Sequence, residues 1–163
     1  MKEVKDVQFA YSKTEKLVKF AVGKDEYYSR LIDGEFPPFE RVIPTETKTK
    51  AVVDKAELQR NIKLISVFAR DYSNVIVCEF AKEGLSIRPK KDTGDENTAF
   101  QEIEMEGESQ KVAFNFKFLL DLLNHIDSKE VIVEILRSDA PVVFKIKDNS
   151  GFLHIIMPVR IQE

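Results

Sequence analysis

SRLIDGEFPPFERVIP, residues Ser29 to Pro44, decides how this chain is divided. A strand-like run stops at Asp33-Gly34. The adjacent Pro37 and Pro38 can neither donate to a β ladder nor sit inside a helix, and Arg41-Val42-Ile43-Pro44 closes the passage. The stretch reads as a rigid connector between two folded units, residues 1–44, which include it, and residues 45–163.

On the C-terminal side the pattern is helical twice. Asp54 and Glu57 frame a capping box, and Leu58, Ile62, Ile65 and Ala69 follow at helical spacing, joined by Val67 and Phe68. Asn115 is a good N-cap for a second helix that carries Phe118, Leu119, Leu122, Leu123 and Ile126 toward a core. Each helix is expected to run about three to four turns. Strands are expected at 75–80, 85–90 (after the Glu83-Gly84 turn) and 99–106 (after the polar loop 92–98). A short run at 111–114 leads into the second helix. Further strands are expected at 131–137, 142–147 and 152–161, the last beyond an Asn149-Ser150-Gly151 turn. The order strand, helix, three strands is given twice.

Upstream of the connector, 4–10, 17–22 and 26–32 are again three strands with polar turns at 12–16 and 23–25, but no helix precedes them. The expectation is that the chain starts inside a unit. Residues 1–44 would then be the closing strands of a preceding domain, and 45–163 one complete α+β domain of two β-α-β-β-β units.

A chain of 163 residues suits one well-buried domain plus part of another, and 43% hydrophobic with 33% charged residues is the composition of a soluble globular protein. No apolar run approaches the roughly 20 residues a membrane span needs, and MKEVKDVQF lacks the apolar centre of a signal peptide, so the cytoplasm is the expected compartment. Cys78, the single cysteine, lies in VIVCEF and reads as a small core residue. A net charge of -3 argues against a uniformly basic, tight nucleic-acid binder but leaves room for one positive face.

Catalytic signals are weak. Asp121 and His125 stand at i,i+4 spacing and could share a hydrogen bond, yet no nucleophile or metal partner accompanies them. His125 suits the last turn of a helix, and His154 is an alternating strand residue. Asp92, Asp95 and Glu96 lack the ordered ligand spacing of a calcium loop, and Gly84, Gly94 and Gly151 are isolated turn glycines rather than a phosphate cradle. No cofactor, no metal and no enzymatic activity are expected.

The connector resembles the inter-domain crossing of the bacterial DNA sliding clamp, the beta subunit of DNA polymerase III, where an SRL-(I/V)-(D/E)-G-x-FP passage leads into the last domain. The run Ile155-Ile156-Met157-Pro158-Val159-Arg160-Ile161 resembles that family's terminal VMPMRL segment. The resemblance covers essentially the whole chain, as the end of the middle domain plus the complete last domain. It implies a DNA-clamp fold with helices on one side of antiparallel sheets, the helices lining a central hole. It also implies a non-catalytic processivity factor that encircles duplex DNA without reading its sequence. Such a factor is a head-to-tail ring homodimer in its full-length form and is opened by a separate loader. It presents a hydrophobic groove to short linear motifs of polymerase, clamp loader and repair proteins.

Carried over residue by residue, the groove candidates are Pro37, Arg41, Val42, Ile155, Met157, Pro158, Val159, Arg160 and Ile161. Met and branched aliphatics would form an adaptable floor, Pro would keep the backbone from closing the cleft, and Arg would hold peptide polar groups at the rim. Val159 and Ile161 stand where the family has Met and Leu, Gln162-Glu163 extend past its usual end, and its Gly-His-Arg-Leu-like wall has no counterpart. An ordinary edge strand packed on the core is the alternative reading of Ile155, Met157 and Ile161. The DNA-facing candidates are Lys55, Arg60, Lys63 and Lys117; with Asp54, Glu57 and Asp121 among them, a solvated mixed face is the other reading. Ser66, Val67 and Phe68 fall where the family's subunits meet, and packing within the domain is the alternative. The chain alone is not expected to close a ring. The competing functional reading is a stand-alone peptide-binding or decoy module.

Overall fold

The computed structural model describes residues 6–70, 73–90, 97–147 and 149–160. It separates into two compact units, Met1–Pro38 and Phe39–Glu163. Among the described residues no helix is long and apolar enough to cross a membrane.

The first unit is an antiparallel meander of β1 (Gln8–Ser12), β2 (Leu17–Val22) and β3 (Asp25–Arg30). Its first strand lies later than the 4–10 expected, and residues 4 and 5 fall outside the described residues. Register places Phe9 opposite Phe20 and Phe20 opposite Tyr27, so these rings share one face with Tyr11, and all four are exposed. The opposite face is polar: the Lys19 ammonium lies 2.6 Å from Glu26, which also accepts from the Tyr28 hydroxyl at 2.7 Å.

The second unit opens with a single 3-10 turn, Phe39–Val42, then β4 (Thr49–Asp54) and α1 (Lys55–Ala69). β5 (Val75–Ala81), β6 (Gly84–Pro89), β7 (Ala99–Gln101) and β8 (Glu104–Gly107) follow. The second half again runs from a strand into a helix and then strands, three instead of four: β9 (Gln110–Asn115), α2 (Phe116–His125), β10 (Glu130–Ile135), β11 (Val142–Ile146) and β12 (Asn149–Ile156). Local chemistry sets both helix starts. The Asp54 carboxylate accepts the Glu57 amide at 2.8 Å, and the Asn115 side chain accepts the Lys117 amide at 3.0 Å.

The strands form two antiparallel sheets, β12-β11-β10-β4-β8 and β7-β6-β5-β9. The strand leading into each helix therefore completes the other half's sheet: β4 pairs with β10, and β9 with β5. The same join is made at both helix starts. The Lys55 amide donates to the Lys129 carbonyl at 2.9 Å, and the Phe116 amide to the Asn74 carbonyl at 3.0 Å. Leu58, Ile62, Ile65 and Ala69 of α1 and Phe116, Leu119, Leu122 and Leu123 of α2 enter one core with Ile76, Phe114, Val133 and Phe144. The helices lie side by side, joined by Gln59 Nε2 donating to Asn124 Oδ1 at 2.6 Å. The unit is α+β, with antiparallel sheets and two adjacent helices, as the sequence implied.

Several expectations change. Residues 99–106 are two strands in different sheets, because the chain crosses over at Glu102-Ile103. Asn149 pairs with Ile146, so Asn149-Ser150-Gly151 is strand rather than turn. At 10 residues, just under three turns, α2 stands at the short end of the expected length. Phe116 takes the core position proposed for Phe118, which is 58% exposed, and Val67 and Phe68 also lie outside the core. Asp92, Gly94, Asp95 and Glu96 lie outside the described residues.

Candidate functional site

β12 ends at buried Ile156, and the chain then leaves the five-stranded sheet for the four-stranded one. The Val159 amide donates to the Ala113 carbonyl of β9 at 2.8 Å. Its half-buried side chain packs on Val75, Val77 and Ala113, a small cluster separate from the main core. These three alternate with Ile76, Cys78, Val112 and Phe114 of the core, so they occupy the sheet face turned away from the helices. Ile155 is half-buried and pairs with Val143; Pro158 is half-buried, Met157 is 57% exposed and Arg160 is exposed.

Arg160 acts on the loop between β10 and β11. Asp139 accepts a hydrogen bond from Arg137 Nε at 2.9 Å, and this bond, the Arg137 charge and, more weakly, the Arg160 charge hold its carboxyl below the usual range. Arg41 and Val42 are exposed on the 3-10 turn, Pro37 is exposed within the first unit, and Ile161 lies outside the described residues.

On the helices, Arg60, Lys63 and Lys117 are exposed, and Arg60 Nη2 lies 3.1 Å from Glu57 Oε1. Lys55 departs from the expected open surface. It is half-buried, and its ammonium donates to the carbonyl of Ile126, the C-cap of α2, at 2.5 Å. A helix C-terminus leaves carbonyls unpaired and carries partial negative charge, so a cation there holds the two helices together. His125 Nδ1 lies 2.7 Å from the Asp121 carbonyl oxygen, an interaction that stays within the last turn of α2. Burial pushes the Cys78 thiol up to about 12, which leaves almost no nucleophilic thiolate.

At the far end of α1, Ser66 is buried and its hydroxyl donates to the Lys63 carbonyl at 2.7 Å, so it belongs to the helix turn rather than to a surface. Val67 and Phe68 stand outside, 60% and 41% exposed.

Residues 40–160 match the family described as DNA polymerase III beta subunit, C-terminal domain. The chain belongs to this family. The beta sliding clamp of Staphylococcus aureus (strain Mu50) is 30% identical over 151 residues, a match taking in 88% of this chain and 38% of that clamp. Among solved structures, the beta subunit of Thermotoga maritima superposes with a TM-score of 0.78 at 32% identity, over 96% of this chain and 42% of that one. A Bartonella birtlesii sliding clamp solved bound to griselimycin gives 0.81 at 24% identity, over 95% and 41%, a likeness of fold. The chain thus spans well under half the length of the clamps it matches.

In this beta-subunit domain two exposed residues were missed from sequence. Leu64, 57% exposed, lies three and four residues before Val67 and Phe68 and so shares their stripe. The signal was partial: Leu64 and Val67 are out of register with Leu58, Ile62, Ile65 and Ala69, whereas Phe68 lies three residues after Ile65 at the margin of that face. Phe118 lies four residues before buried Leu122, so spacing alone did not reveal its exposure.

Proposed function

We propose that this chain serves as part of a DNA polymerase processivity factor, a non-catalytic sliding clamp subunit that surrounds duplex DNA in the cytoplasm as an element of a ring. The observation that carries this reading is the pair α1 and α2, side by side and joined by Gln59 and Asn124, with Arg60, Lys63 and Lys117 exposed on them. Lys and Arg contacts to phosphate carry no sequence information, and a sparse set of them holds DNA loosely enough to slide. Residues 1–44 are read as the closing strands of the preceding clamp domain.

Within the second unit the groove is read as Arg41, Val42, Ile155, Met157, Pro158, Val159 and Arg160, receiving short apolar motifs of polymerase, clamp loader and repair proteins. Val67 and Phe68, with Leu64 beside them and Ser66 fixing the turn, are read as the contact to a neighbouring subunit. A clamp of the same fold was solved bound to griselimycin, so that compound is the probe chosen for ligand capture by this chain.

Fluorescence anisotropy with labelled duplexes of unrelated sequence tests the reading. Binding should be weak, equal between sequences and lost as salt rises. Tight binding that survives high salt would overturn it. Griselimycin capture with no duplex binding at any salt would replace it by the peptide-capture module.

A further inference from the structure

β8 and the segment 157–160 occupy matching places in the two halves of the domain. β8 leaves the four-stranded sheet after β7 and adds to β4 in register from Thr49 opposite Gly107 to Val52 opposite Glu104, with the Thr49 hydroxyl on the Glu108 carbonyl at 2.5 Å. The segment after β12 leaves the five-stranded sheet and adds to β9, the counterpart of β4. Among the described residues, it does so through a single backbone hydrogen bond, from Val159 to Ala113. Among the described residues, the hydrophobic side chain packed on the Val75, Val77 and Ala113 cluster is also that of Val159.

We propose that Val159, one of the residues of the groove read above, is the positioning residue of this segment: it pins the tail on β9 and thereby sets Met157 and Arg160 outward. The inference rests on the groove reading above. Val75, Val77 and Ala113 are 4%, 1% and 1% exposed on the sheet face away from the core, and Val159 is the hydrophobic side chain that packs against them. Pro158 has a fixed φ and restricts Met157 to extended backbone, so few torsions separate the anchor from the Met157 thioether. A β-branched valine is also stiff at χ1, which suits an anchor better than the flexible Met of the family's terminal segment.

The test uses the full chain, 15N-labelled and with 13C-methyl Met, with griselimycin as ligand. Val159→Asp places a carboxylate against three buried aliphatic groups and should release the tail. The amide of residue 159 should lose its protection, the amides of 157 and 160 should gain fast motion, and griselimycin affinity should fall roughly tenfold or more. Val159→Ala should move each readout part of the way, and Val159→Ile should restore them. Met157→Ala should weaken griselimycin while residue 159 stays protected. Unchanged order at 157–160 in Val159→Asp would overturn the proposal, as would lost order with unchanged affinity. A wild-type chain that does not bind griselimycin would count against the groove reading instead, and the amide data would still decide whether Val159 is the anchor.

Discussion

Gln59 on α1 and Asn124 on α2 meet side chain to side chain at 2.6 Å, tying the helices across their solvent-facing seam. Asn124→Ala should lower unfolding free energy by about 0.5–1 kcal/mol, and Gln59→Ala should add little once the partner is gone. A double-mutant cycle by urea unfolding checks this, and strict additivity would show that the contact contributes nothing.

Lys55 and Lys117 should behave oppositely although both are lysines on the helical surface. Lys55→Met removes the donor to Ile126 and should reduce stability by about 1 kcal/mol while leaving duplex affinity nearly unchanged. Lys63→Ala and Lys117→Ala should leave unfolding alone and each lower the salt slope of DNA binding by about 1. Equal salt slopes in all three variants would refute the assignment.

Gly107 has φ +99, and a Cβ there would overlap the Lys48 carbonyl, where β8 closes on β4. Gly107→Ala should therefore destabilise by about 2–3 kcal/mol, from left-handed backbone plus displaced main chain. Gly23, at φ +63 with open space around it, should tolerate alanine for about 1 kcal/mol. Thermal unfolding of the two variants compares them directly.

On α1, adjacent turns separate folding from surface chemistry. Ile65, 1% exposed, should lose about 2–4 kcal/mol on truncation to alanine. Val67→Lys, at a position 60% exposed, should stay within about 0.5 kcal/mol of wild type. Chemical denaturation showing a larger loss for Val67→Lys would place that side chain inside the domain.

Asp139 gives a pH signature. Its folded pKa lies below the ordinary aspartate value of 3.8, so its contribution to stability is present above that value and is lost as pH falls through the depressed one. Arg137→Ala should raise the Asp139 pKa toward 3.8, and Arg160→Ala should raise it less, as read by carboxyl-carbon NMR titration. An Asp139 titration unmoved by Arg137→Ala would contradict the pairing.

What could be read from sequence was what short range determines. Asp54 and Asn115 announced their helices because a cap bonds an amide two or three residues away. The apolar periods of Leu58-Ile62-Ile65-Ala69 and Leu119-Leu122-Leu123 then named the buried faces. The crossover at Glu102-Ile103 was illegible because alternation continues on both sides of it, and only the partner strand, β6 or β4, tells which sheet each half joins. Lys55 looked like any helical surface lysine because its acceptor, Ile126, is distant in sequence. Along the tail, sequence marked Met157, Val159 and Arg160 as alike, whereas the Ala113 carbonyl draws Val159 inward and leaves its neighbours out.

The exchange of β4 and β9 between sheets makes the duplicated domain behave as a homodimer folded into one polypeptide. A protease nick between β8 and β9 would leave two fragments interlocked, each holding the strand its counterpart lacks. Expressed separately, neither half should be soluble alone, and mixing them should rebuild the native body.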